Sequence, residues 1–149
     1  LLGVIQKVAP RFDHILLDTG AGISDVVLYA VSLADEVMVV ATPEPTALTD
    51  AYATIKVLAA QQQRQRIKLV VNQVGRIGEG RVIRGQLQQV VDRFVSNGTD
   101  TPLKLELVGE VPTDAAVREA VQRRQLLVEA LPGCAAAKAV AAIAEKLVA

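Results

Sequence analysis

Four short apolar runs recur along this chain, each followed by a loop of turn-forming residues and then by a helical pattern. They span His14 to Asp18, Glu36 to Thr42, Ile67 to Val71 and Leu105 to Val111. Short runs of this kind between longer 3.6-period stretches read as buried strands alternating with helices. The pattern predicts an α/β fold, an open and mostly parallel sheet with helices on both faces. Strand-helix-strand units with tight connections bring the carboxyl ends of parallel strands to one edge, where such sheets receive their ligands.

Each predicted strand ends in residues suited to that edge. The first runs into Asp18-Thr19-Gly20-Ala21-Gly22. Glycine permits φ > 0 and close approach of backbone N–H groups to an anion, while the Asp18 carboxylate suits a hydrated cation. The same spacing also occurs in plain strand-to-helix turns, where an Asp bonds its own loop. The second run leads into Pro43-Glu44-Pro45-Thr46, stiffened by two prolines. The third ends at Asn72, whose amide offers both a donor and an acceptor to a purine edge, although Asn is also a common turn former. The fourth ends at Val111-Pro112-Thr113-Asp114. Agreement at one edge predicts a pocket. Gly75, Gly78 and Gly80 give the next loop mobility, but their order does not match a dinucleotide fingerprint and no Lys-Ser/Thr follows.

Between the strands, Leu1 to Val8 reads as a helix ending before Pro10, and Ser24 as the N-cap of a helix through about Leu33. Met38 belongs to the core in this reading. A helix from Thr46 or Thr49 to Gln62 ends in the polar stretch Gln61 to Arg66, expected to be solvated. Another, from Glu79 or Arg81 to Val95, buries Ile83, Leu87, Val90, Val91 and Phe94. A polar loop is expected over Ser96 to Pro102, and Thr113 or Asp114 should cap a short helix through Arg124. Leu126-Leu127 reads as buried, Pro132-Gly133 as a break, and Ala136, Val140, Ile143 and Leu147 as the apolar face of a last helix.

At 149 residues the chain is one domain's worth, and its formal charge of zero selects neither nucleic acid nor an anionic membrane. The single cysteine, Cys134, excludes an internal disulfide and reads as a small packing residue. No run approaches about 18 strongly apolar residues, and no basic leader precedes a hydrophobic stretch, so a soluble cytoplasmic protein is expected. The chain opens on Leu1, inside an apolar pattern already under way, which suggests a fragment of a larger domain.

The stretch Phe12 to Gly22, then Thr42 to Thr46 with Thr49 to Tyr52, Val70-Val71-Asn72, and Gly109 to Asp114 with Val117 and Ala120, resembles the MinD/ParA family of deviant P-loop ATPases. Within it the likeness is nearest to the flagellar-number regulators, FlhG/FleN. The resemblance implies ATP or ADP with Mg²⁺ as cofactors. Asp18 would reach Mg²⁺ through water, Thr19, Gly20 and Gly22 would belong to the segment sensing the γ-phosphate, and Asn72 would read the adenine. Val111, Pro112, Thr113 and Asp114 would frame the base. It gives no role to Glu44, Pro45 or Asp50.

Neither a Gly-rich Lys-Ser/Thr loop nor a switch I Asp is found, so the chain is expected to be the carboxyl-terminal part of the ATPase domain and to hydrolyse no ATP alone. The family's basic amphipathic membrane helix is not evident in Ala136 to Ala149. The complete protein would be a cytoplasmic, ATP-dependent homodimerising switch, able to sit peripherally at the inner membrane. Its partners would be a flagellar GTPase, a transcription activator or basal-body components. A non-catalytic scaffold of the same fold is the alternative.

Overall fold

The computed structural model describes residues 1–95 and 102–148. The expected polar loop lies, at 96–101, outside the described residues. Among the described residues three parallel strands form the sheet, β1 (Met38–Ala41), β2 (Arg66–Val74) and β3 (Lys104–Pro112), in the order β1-β2-β3. Helices α1 (Leu2–Val8) and α2 (Asp25–Ser32) precede them, α3 (Pro45–Gln62) joins β1 to β2, and α4 (Glu79–Phe94) leads toward β3. After β3 come α5 (Ala115–Gln122), the single turn α6 (Leu127–Ala130) and α7 (Ala135–Val148). Pro10 sits in a 3-10 turn, Ala9–Arg11, that continues directly from α1.

Alternation along the strands divides the side chains between two faces. On one face Val39, Ile67, Leu69, Val71 and Leu105 pack against Ile55 and Leu58 of α3 and Ile83, Leu87 and Val91 of α4. Full burial of one such side chain stabilises the fold by roughly 1.5–3 kcal/mol, so this layer is the principal core. On the other face Val70 and Val108 meet Ile143 of α7, with Val111 and Leu147 packed alongside. The close approach of α7 depends on Gly109, where an added Cβ would lie 2.4 Å from Ile143 Cγ1.

Helix α7 does not reach across to β1. Val39 and Ala41 are buried, yet Met38 and Val40 on the opposite face are 41% and 56% exposed. Met38 is therefore not core: periodicity assigned β1 a buried character that only one of its faces receives. Val90 and Phe94 of α4 and Leu126 are likewise exposed rather than buried.

The largest departure concerns His14 to Asp18, which forms no strand. Residues 12–24 run without regular secondary structure, and Leu16 is 85% exposed. An apolar run states a preference for burial, but a strand also needs a ladder to pair its N–H and C=O groups. Among the described residues β1 is paired on one side only, with β2, and nothing pairs with 14–18.

The polar end of α3 is also not simply solvated. Gln62 Nε2 donates to the Leu28 carbonyl at 2.8 Å, and the Arg64 guanidinium donates to the carbonyls of Val31, Ala34 and Asp35. Carbonyls at and just beyond the end of α2 have no further helical turn to complete their bonding, and a fixed cation is a favoured group to meet them. Ser24 Oγ caps the other end of α2 by accepting from Val27 N, as expected.

Candidate functional site

The parallel register places the loops after β1, β2 and β3 at one edge of the sheet. Asn72 is the register partner of Val111, and Val74 that of Pro112, with Gln73 an extra residue between them. Thr113 N then donates to the Val74 carbonyl at 2.9 Å, extending the pairing past the strand end. The sequence-predicted residues Asn72, Val111, Pro112 and Thr113 are thereby brought together. The bulge at Gln73 has a left-handed backbone, φ 58°, and Asn72 Oδ1 accepts from Gln73 N at 2.9 Å.

Beyond β2 the glycine loop is braced rather than loose. Gly75 N donates to Glu79 Oε2 at 2.7 Å, while Gly78 N and Gly80 N donate to the two carboxylate oxygens of Glu110 at 2.7 and 2.8 Å. Gly78 is the N-cap of α4 and holds φ 88°, so glycine is required there by conformation. At Gly80 the reason is space, since a Cβ would lie 2.7 Å from Glu110 Oε2. A carboxylate against the first N–H groups of a helix complements its positive end. Glu110 was missed from sequence. Its signal, an acid near a strand end preceding a proline loop, is local, whereas its partners lie 30 and 32 residues away.

Between this loop, the end of β3 and α7 lies a cleft of about 330 Å³. Its walls are Val74 to Ile77, Glu110, Pro112 and Thr113, closed on one side by Ala135 and Ala139 of α7. Arg76, exposed, adds a cation to this lining and pairs with none of the described acids.

Asp114 reaches the same region but both its oxygens are engaged. Oδ1 accepts from Ala116 N at 2.9 Å as the N-cap of α5, and Oδ2 accepts from Ala136 N at 3.1 Å in the first turn of α7. The backbone N–H groups of Ala116 and then Ala136 hold its carboxyl below the ordinary Asp range, against the opposing effect of desolvation. Asp114 thus shapes the cleft by tying two helix starts together.

A depressed folded value means that this contribution is present above the unfolded pKa, near 3.9, and is lost as pH falls through the folded one. Asp114→Asn is expected to lower the melting temperature at pH 7, and the gap from the parent should close progressively below about pH 4. Melts recorded from pH 7 down to pH 3 check this. A gap of constant size across that range would contradict the assignment.

Asp18, Thr19 and Gly20 are exposed and lie in the segment without strand structure, so the ladder does not carry them to the edge. Gly22 takes φ 96°, a conformation suited to glycine, two residues before the Ser24 cap. Asp18 bonds to none of the described residues, which leaves its oxygens open to a cation or water. Glu44 is the N-cap position of α3 and Pro45 its first residue, so the stiff loop after β1 serves to start that helix. No group of three or more His, Cys, Asp or Glu that could hold a metal ion occurs among the described residues.

With this geometry in view, residues 5–148 match the ParA family model, described as NUBPL iron-transfer P-loop NTPase. The antiactivator FleN of Pseudomonas aeruginosa is 36% identical over 147 residues, which is 99% of this chain and 50% of FleN. The flagellum site-determining protein YlxH of Helicobacter pylori is 30% identical over 127 residues, 85% of this chain and 41% of YlxH. The MinD cell division protein of Aquifex aeolicus superposes with a TM-score of 0.71 at 26% identity, covering 97% of this chain and 58% of that structure. This chain spans about half the length of these relatives.

Proposed function

Because this chain belongs to the ParA/MinD family of P-loop NTPases, we propose that it is the carboxyl-terminal part of an ATP-dependent dimerising switch. The whole protein would act in flagellar or other cell-pole assembly, in the cytoplasm with peripheral attachment to the inner membrane. Among the described residues no helix is long and apolar enough to cross a membrane. Iron-cluster transfer would call for several thiolates, and this chain contributes only Cys134.

The observation that carries the nucleotide reading is the pairing of Asn72 with Val111 and of Val74 with Pro112. It sets Asn72 in register with Val111, next to the strand end whose Pro112 and Thr113 line the cleft, and an amide so placed suits a flat heterocycle with polar edges. Asn72 reads the base, and the backbone from Val111 to Thr113 frames it, with Asp114 holding that backbone in place. Asp18, an unengaged hard-oxygen donor, is suited to Mg²⁺ through water, and Thr19 to Gly22 to the γ-phosphate. Bound Mg²⁺ supplies neutralisation of phosphate charge. The missing Lys-bearing loop and the partner for the free edge of β1 are assigned to the part of the relatives' length that this chain does not span. Turnover therefore belongs to the whole protein.

Sedimentation velocity on the full-length protein tests the switch. With Mg-ATP the boundary is expected to move to that of a dimer, and with Mg-ADP to return to that of a monomer. Sedimentation that is the same without nucleotide, with ADP and with ATP would favour a scaffold that keeps the fold without the switch.

A further inference from the structure

Among the described residues three non-glycine positions have positive φ: Gln63, Gln73 and Arg124. Gln63 is the C-cap of α3 and Arg124 follows the C-cap of α5, where a left-handed residue is the ordinary way to stop a helix. Gln73 alone lies inside a strand, as the unpaired residue of a bulge. Bulges of this kind re-aim neighbouring side chains. Here the consequence is specific, because the turned backbone points Gln73 N at the side chain of Asn72 at 2.9 Å.

A backbone N–H can be met only by the oxygen of an amide side chain, so this bond decides which way Asn72 is flipped. Oδ1 is held toward Gln73, with one lone pair still open, and Nδ2 donates to none of the described residues. The remaining surface of the amide is a fixed donor beside a fixed acceptor. That pair complements a purine with a 6-amino group next to a ring nitrogen acceptor. A 6-oxo purine would set its carbonyl oxygen against Oδ1, and flipping the amide to relieve this would break the bond to Gln73 N.

We infer that Gln73, through its left-handed bulge and its N–H bond to Asn72 Oδ1, is a positioning residue that fixes the amide flip and so selects 6-amino over 6-oxo purine nucleotides. The inference rests on the nucleotide reading of the cleft given above. It assigns the selectivity to the residue after Asn72, whose own side chain need not touch the base. Two properties of position 73 are then needed, a backbone N–H and tolerance of positive φ. Glycine keeps both, whereas a β-branched residue resists the second.

The test measures binding of ATP, GTP and purine riboside triphosphate, which lacks the 6-amino group, to the full-length protein and its variants. In the parent, ATP is expected to bind at least about tenfold more tightly than either of the others, the discrimination of one bidentate contact. Gln73→Gly should keep the ATP to GTP ratio within about threefold of the parent, and Gln73→Val should reduce it by about tenfold or more. An ATP to GTP ratio unmoved in a folded Gln73→Val protein overturns the positioning role while leaving the nucleotide site standing. Should Gln73→Val not fold, the parent protein decides: purine riboside triphosphate binding as tightly as ATP overturns the inference. If the parent binds none of the three, the nucleotide reading falls and this inference with it.

Discussion

Asp18→Ala in the full-length protein is expected to lower Mg-ATP turnover by about a hundredfold or more, the loss typical of removing one group that stabilises charge in the reacting complex. The same substitution should leave the melting temperature nearly unchanged. Asp18 is exposed, lies outside the sheet and bonds to none of the described residues. Substitutions at such positions usually change stability by no more than about 0.5 kcal/mol. A large loss of activity without a loss of stability therefore separates a role toward the nucleotide's metal from a role in the fold. Steady-state hydrolysis and thermal melts of the two proteins provide the comparison. Equal turnover in both would remove Asp18 from the proposed site.

Gly109→Val is expected to cost the full-length protein about 3 kcal/mol or more of stability, beyond the usual range of a surface change. The first atom of any side chain at this position would lie 2.4 Å from Ile143 Cγ1 and 2.9 Å from Ile143 Cδ1. Neither the central backbone of β3 nor a buried isoleucine can yield cheaply, so α7 has to lift from the sheet. Lifting it exposes Val70, Val108 and Ile143 and breaks the bond from Lys146 Nζ to the Val108 carbonyl, 2.7 Å long. Because α7 also forms one wall of the cleft through Ala135 and Ala139, nucleotide affinity should fall with stability. Gly85→Ala in α4 is the control. A Cβ there meets nothing within 4 Å, and replacing a helical glycine by alanine should stabilise by roughly 0.5–1 kcal/mol. Urea midpoints for the three proteins would show the opposite signs, and a Gly109→Val midpoint equal to the parent's would refute the packing argument.

The two substitutions differ in how far sequence alone could foresee them. Asp18 stood out as a carboxylate before a glycine turn. Gly109 did not, because the reason for it is Ile143, brought against it by the fold. Glu110 and Arg64 belong with Gly109. Each looks like a surface charge in the chain, and each satisfies backbone groups about 30 residues distant, at Gly78 and Gly80 or at Val31 and Ala34. Asp114 is an intermediate case: a cap on α5 from Thr113 or Asp114 was visible within two residues, while the second bond of Asp114 to Ala136 was not.

What the sequence determined by itself was the set of local choices. Apolar period, N-caps at Ser24 and at Thr113 or Asp114, and the glycine and proline breaks specified helices and strands in order. They also specified a parallel α/β arrangement with Asn72 and Val111 to Asp114 at its carboxyl edge. These features depend on interactions within a few residues, so they are written where they act. Only the tertiary structure decided that 14–18 has no ladder here, that one face of β1 stays open, that Gln73 turns left-handed to hold Asn72, and that Glu110 closes the glycine loop. Each of those outcomes depends on which distant backbone group, strand or helix comes within bonding distance, and a one-dimensional pattern fixes the need for a partner without fixing its identity.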